Sequence, residues 1–207
     1  MKIGHKKIGI GNPTYIIAEA GINHNGDLNI AKKMIDEAAN CGVDAIKFQS
    51  FSADELFSKK LNPDFFKFAT DLSINSNQHQ QLKKYSQKRK IEFISTATGL
   101  KSLNLLKKLG VSTIKIASMD INNHEILKAA ARTKVPLIVS TGMSTISEIT
   151  SAVKTLTKEN AIFCLLHCVS SYPTSVCDAN LATISYFNKI FDVPIGYSDH
   201  TMGIDAC

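Results

Sequence analysis

The sequence predicts an α/β fold in which parallel strands alternate with helices, and three patterns carry that expectation. Seven short apolar runs recur along the 207 residues, several of them apolar on both faces of the pleat, as in strands covered by helices. Between the runs lie segments with the 3.6-residue apolar period and recognisable caps. No Gly-x-Gly-x-x-Gly joins the first strand to its helix, so the doubly wound dinucleotide-binding alternative lacks its signature. Alternation with right-handed crossovers then points to the (β/α)8 TIM-barrel type, which typically needs about 250 residues. This chain supplies seven strands and the start of the seventh helix, a barrel truncated after its seventh strand.

The expected strands, in order, are YIIAE (15–19), AIKFQ (45–49), EFIST (92–96), TIKIAS (113–118), LIVSTG (137–142), FCLLHC (163–168) and PIGYS (194–198), the last read as buried. The first helix lies in DLNIAKKMIDEAANCG: Asp27 can cap it, and Leu28, Ala31, Met34, Ile35 and Ala38 make one apolar stripe. Gly42 suits the left-handed position after its end. Later helices follow the same grammar. Thr145 and Glu148 have capping-box spacing, and Gly110 closes LKSLNLLKKLG.

Composition narrows the function classes. A hydrophobic content of 44% is enough for a substantial core, and no apolar run approaches the roughly 20 residues that span a bilayer. The N-terminus carries charges and glycines where a signal peptide needs a continuous apolar stretch, so a cytoplasmic location is expected. Cys41, Cys164, Cys168, Cys177 and Cys207 are odd in number and lack paired CxxC spacing, which argues against a disulfide framework or a zinc knuckle. Cys164 and Cys168 read as small buried hydrophobes. The net charge of +6 is concentrated in helical stretches such as LKKYSQKRK, where a solvated face is the ordinary explanation, and no nucleic-acid recognition element accompanies it.

In a barrel of this type the chemistry sits at the C-terminal ends of the strands. Polar residues there form a series: Glu19, then Lys47 and Gln49, Thr96, Lys115 and Ser118, Ser140 and Thr141, His167 and Ser170, and finally Ser198 and His200. Lys47 and Lys115 are the most informative, because an ammonium inside an apolar strand needs an anion. Two readings follow: a phosphate or carboxylate clamp completed by the neighbouring hydroxyls, or a Schiff-base lysine as in aldolases. The hydroxyl set favours the clamp. Glu19 opens the glycine-rich loop AGINHNG and could act as a base, hold substrate hydroxyls, or pair with one of the lysines. His200 could ligate a metal, act as an acid, or be a hydrogen-bonded loop histidine. His167 reads as a satisfied core histidine, and His5, His79 and His124 are assigned no role.

Taken together, IIAEAGINHNG, AIKFQSF, FISTAT, IKIASMDINN, IVSTGM, LLHCVSSYPT and IGYSDHT closely resemble the sialic acid synthase family, the N-acetylneuraminate synthases and their legionaminic and pseudaminic acid relatives, from about Tyr15 to the C-terminus. The resemblance implies condensation of phosphoenolpyruvate with an N-acylated hexose such as N-acetylmannosamine to a nine-carbon 2-keto sugar acid and phosphate. It also implies a divalent metal, Mn2+ or Mg2+, acting on the sugar aldehyde. Carried onto this chain, Lys47, Thr96, Lys115, Ser118, Ser140 and Ser198 match phosphoenolpyruvate contacts, and Ser170 lies where some members place an Asn contact. Glu19 matches the acid–base glutamate, Gln49 and Tyr172 match sugar contacts, and Asp120 lies where some members have a Glu near metal and sugar. His200 matches one of two metal-binding histidines. LLHC is more like the neuraminate and legionaminate branches than the pseudaminate one.

The resemblance also implies an eighth strand with the second metal histidine and a small antifreeze-like domain, neither of which is within residues 1–207. Residues 15–207 are therefore expected to form an incomplete synthase barrel behind an extension, 1–14. Family members pair as homodimers. The alternatives are a legionaminic or pseudaminic acid synthase, or an inactive truncated subunit or binding protein that partners a full-length chain, and a Schiff-base aldolase is a more distant one.

Overall fold

A computed structural model describes residues 1–207, which divide into two compact units, Thr14–Ile114 and Met1–Pro13 with Lys115–Cys207. The chain opens with a two-stranded antiparallel hairpin, β1 (Lys2–Ile3) and β2 (Lys6–Lys7), on which Ile3 is buried.

The 14–114 unit contains β3 (Ile17–Gly21), α1 (Leu28–Asn40), β4 (Ala45–Ser50), α2 (Ala53–Leu56), α3 (Pro63–Leu72), α4 (Ser76–Lys88), β5 (Glu92–Ala97) and α5 (Leu100–Leu109). Strands β3, β4 and β5 pair in parallel in chain order, with Glu19 beside Lys47 and Gln49 beside Thr96. The caps are those expected. Asp27 accepts the backbone N–H groups of Asn29 and Ile30, Ala31, Ile35 and Ala38 are buried, and Gly42 has φ 75°. Gly110 ends α5 at φ 66°, and its carbonyl and that of Leu109 accept from the Lys83 ammonium at 2.8 and 2.7 Å. That lysine of the basic LKKYSQKRK stretch thus satisfies a helix C-terminus as well as meeting solvent.

The first strand is displaced from its expected place. It begins at Ile17, not Tyr15, because Asp44 holds the Ile16 N–H at 2.7 Å while the Ile16 carbonyl takes the N–H groups of Asp44 and Ala45, so the strand starts just after Ile16. It runs on to Gly21, with an irregular register between Glu19 and Gly21.

The short strand β6 (Ile114–Ile116) carries Lys115. Ser118 was expected to end this strand; it opens a single 3-10 turn, Ser118–Asp120, instead. There follow α6 (His124–Arg132), β7 (Leu137–Ser140), α7 (Ile146–Lys158), β8 (Phe163–Cys168), α8 (Ala182–Ile190) and β9 (Ile195–Ser198). Strands β7, β8 and β9 pair in parallel in chain order. The expected capping box closes between Thr145 and Glu148. Both units are therefore built from β/α repeats of the TIM-barrel type. One burial expectation fails: β9 is half-buried along its whole length, whereas β7 is fully buried. No helix is long and apolar enough to cross a membrane.

Candidate functional site

Within the 14–114 unit the ends of β3, β4 and β5 bring Glu19, Lys47 and Thr96 together. The Lys47 ammonium pairs with the Glu19 carboxylate and lies 3.4 Å from the Thr96 hydroxyl, to which it donates. The lysine side chain is 12% exposed and the glutamate 50%, so the pair is anchored at one end and open at the other. Gln49 lies in the same neighbourhood: a methyl group added to Gly21 would sit 3.4 Å from Glu19 Oε1 and 3.9 Å from Gln49 Nε2. Gly21 itself has φ 54°, a conformation that side chains rarely adopt.

Within the other unit the second lysine has a different environment. Lys115 is 5% exposed, and its ammonium donates to the Ser140 hydroxyl at 2.5 Å and to the Ile116 carbonyl at 2.8 Å. Asp120 is also buried. Desolvation pushes its carboxyl up to about 6, against the pull of the Lys115 charge, and its Oδ2 is buried without a hydrogen-bond partner.

Ser118 Oγ accepts the Gly142 N–H at 2.9 Å and lies 3.1 Å from Cys168 Sγ. Gly142 is required there by space. A Cβ at this position would land on Ser170 Oγ, 2.8 Å from Cys168 Sγ and 3.0 Å from Ser118 Oγ. Ser198 stands beside Cys168 in the β8–β9 ladder. Four of the expected anion-contacting hydroxyls, on Ser118, Ser140, Ser170 and Ser198, are thus carried by segments at the ends of β6, β7, β8 and β9.

Past β9, Asp199 organises the SDHT turn by accepting the Thr201 N–H at 2.8 Å and the Tyr197 hydroxyl at 3.0 Å. His200 Nδ1 lies 2.6 Å from the Val169 carbonyl; since a carbonyl only accepts, Nδ1 carries the proton and Nε2 is left as the free lone pair. Its ring lies 4.1 Å, centroid to centroid, from that of Tyr172, which is exposed and precedes a cis Pro173.

No group of three or more His, Cys, Asp and Glu side chains comes together as a cation site. His200 offers one nitrogen to a divalent metal, fewer than the three protein ligands a catalytic metal ordinarily takes, so residues 1–207 do not by themselves fit that ion. His167 is a core histidine as expected, buried and donating from Nε2 to the Ala179 carbonyl at 2.8 Å.

Two members of the second cluster escaped sequence reasoning. Cys168 is buried, as expected, but it is also a polar neighbour of Ser118, and its position at the end of a strand was the available signal. Gly142 ends the STG of LIVSTG, and nothing in its local sequence says that three side chains crowd its Cα.

Known proteins share the family and the fold of this chain. The model of the NeuB family matches residues 34–207. An uncharacterised protein of Methanocaldococcus jannaschii is 46% identical over 207 residues, all of this chain and 61% of that one. An N,N'-diacetyllegionaminic acid synthase of Campylobacter jejuni is 39% identical over 206 residues, covering 92% of this chain and 62% of the relative. Among solved structures, the N-acetylneuraminic acid synthetase of Leptospira borgpetersenii, in complex with citrate, superposes with a TM-score of 0.95 at 44% identity, covering 99% of this chain and 71% of that one. The chain spans about three-fifths of the length of the curated relatives it matches.

Proposed function

The chain belongs to the NeuB family, the synthases of sialic-acid-type sugars, and on that premise we propose that it takes part in condensing phosphoenolpyruvate with an N-acylated amino sugar to a nine-carbon 2-keto acid, with release of phosphate. The observation that carries this reading is Lys115: a buried ammonium held by the Ser140 hydroxyl at 2.5 Å, as an anion site requires. In this reading Lys115, Ser118, Ser140, Ser170 and Ser198 donate to the acceptor-only oxygens of phosphoenolpyruvate, and Lys47 and Thr96 act as further donors. Such donors are oriented before the ligand arrives, so little reorganisation is needed when charge develops.

Glu19 is the acid–base group. Its half-exposed carboxylate can exchange protons with substrate and water while the ion pair with Lys47 holds it in place. Gln49, Asp120 and Tyr172 bind the sugar. Asp120, with a carboxyl raised to about 6 by burial, can carry a proton near neutrality and so donate to a sugar oxygen as well as accept from a hydroxyl. His200 Nε2 would supply one ligand to Mn2+ or Mg2+. The residues present assemble no complete site for that ion.

The sugar in this reading is of the N-acetylmannosamine type, supported by the 44% identity to the Leptospira borgpetersenii N-acetylneuraminic acid synthetase, and a legionaminic-type sugar is the alternative, supported by the 39% identity to the Campylobacter jejuni synthase. The test is release of inorganic phosphate from phosphoenolpyruvate, in Mn2+, by the 207-residue chain with each acylated sugar and with none. Sugar-dependent release supports the synthase reading. If a folded chain neither releases phosphate nor binds phosphoenolpyruvate, the reading is wrong for these residues.

A further inference from the structure

Ser118 is the one expected phosphoenolpyruvate contact whose hydroxyl is already engaged by two other groups. Its oxygen has one proton to give and two lone pairs to fill. The Gly142 N–H fills one lone pair at 2.9 Å. The Cys168 thiol, 3.1 Å away, can fill the second or receive the Ser118 proton. These two states differ in what Ser118 can do. If Ser118 gives its proton to sulfur, it has nothing to donate to an anion. If sulfur gives its proton to Ser118, both lone pairs are occupied and the hydroxyl proton must point elsewhere.

An anion presents only acceptors, so its arrival selects the second state. Cys168 is suited to that service. It is buried, and neighbours on two sides limit its freedom: the Gly142 backbone, so close that a Cβ there would lie 2.8 Å from the sulfur, and the paired strand bearing Ser198. Crowding around Gly142 also keeps the Ser118, Cys168 and Ser170 side-chain tips close to one point.

We propose that Cys168 is a positioning residue for the anion site: its thiol, with the Gly142 N–H, saturates the acceptor capacity of Ser118 and turns that hydroxyl into a directed donor toward phosphoenolpyruvate. The inference rests on the phosphoenolpyruvate reading above and deepens it. A thiol does this without charge, and a serine at the same position, also one donor, can substitute for it in part.

The test is phosphoenolpyruvate affinity, measured by titration calorimetry on the 207-residue chain, for the parent and for Cys168→Ala, Cys168→Ser, Ser118→Ala and the Ser118→Ala/Cys168→Ala pair, with thermal unfolding to confirm that each is folded. Cys168→Ala should weaken binding about five- to tenfold, as loss of one oriented neutral hydrogen bond does. Cys168→Ser should recover most of the loss. In the Ser118→Ala background the Cys168→Ala change should cost nothing further, a coupling that a merely space-filling cysteine would not show. Unchanged affinity in Cys168→Ala, or an equal loss with and without Ser118, overturns the positioning role and leaves the phosphoenolpyruvate reading standing. A folded parent that does not bind phosphoenolpyruvate overturns both.

Discussion

Lys47 and Lys115 are the same residue in the same sequence setting, a lysine inside an apolar strand, yet the fold treats them differently. Lys47 pairs with a carboxylate that is half in water. Lys115 is buried and donates to a hydroxyl and a carbonyl, with the buried Asp120 near enough for its charge to matter. An ion pair with one end exposed is worth little to stability, because water screens it, and its members are free to exchange partners. A buried ammonium held by a hydroxyl and a carbonyl, with a carboxyl nearby, has its desolvation partly offset and can still attract an incoming anion. Under the proposed function, proton transfer falls to the Glu19–Lys47 region and tight anion binding to the Lys115 region.

The largest effect should come from Lys115→Met, which removes the charge at nearly constant volume. Phosphoenolpyruvate affinity should fall by about 100-fold or more, the scale of losing a buried charge-assisted contact. Calorimetric titration reads it, and affinity unchanged within twofold would erase the distinction between the two lysines. Gly142→Ala should come next. The added methyl collides with Ser170 and crowds Cys168 and Ser118, so it should destabilise the fold by about 1–3 kcal/mol and weaken phosphoenolpyruvate binding together, read by denaturant unfolding and titration.

Asp120→Asn tests the electrostatics of the buried region through pH. Burial raises the Asp120 carboxyl to about 6 in the folded chain, above its unfolded value near 3.8, so the folded state holds its proton more tightly. That contribution to stability is complete below about pH 4 and is lost as pH rises through 6. The Asn variant, which never ionises, should therefore be more stable than the parent at pH 8, by about 2 kcal/mol in denaturant unfolding, with the gap closing below pH 4. A gap independent of pH would mean that Asp120 is not held in an unfavourable charged state. The smallest stability effect is expected for Glu19→Gln. Breaking a half-exposed ion pair should cost under about 1 kcal/mol and change phosphoenolpyruvate affinity little, while turnover, if Glu19 moves the proton, should fall by about 100-fold or more. A large loss of binding in this variant would transfer the anion-site role to the Glu19–Lys47 pair.

Most of the architecture was legible because it depends on local rules. Alternating apolar runs and capped amphipathic helices were read at Asp27, Thr145, Gly42 and Gly110, and the structure places a cap or a left-handed turn at each. Strand ends were less legible. Tyr15 was assigned to the first strand, but Asp44, distant in sequence, takes the Ile16 N–H and moves the start to Ile17. Two helices, α2 and α3, fill the stretch after β4, where sequence patterning had singled out no element.

The sequence by itself determined the α/β repeats and the family, and it marked the polar residues at or near the strand ends, since these follow from side-chain period, turn chemistry and ordered motifs. Only the tertiary structure decided which of those residues meet. Glu19 pairs with Lys47 across neighbouring strands, Lys115 meets Ser140, and Ser118 lies between the Gly142 N–H and the Cys168 thiol. The physical reason is range. Period and capping act over three or four residues, whereas hydrogen-bond partners such as Ser118 and Cys168 are 50 residues apart in the chain and are set by the register of strands and the close approach of backbones.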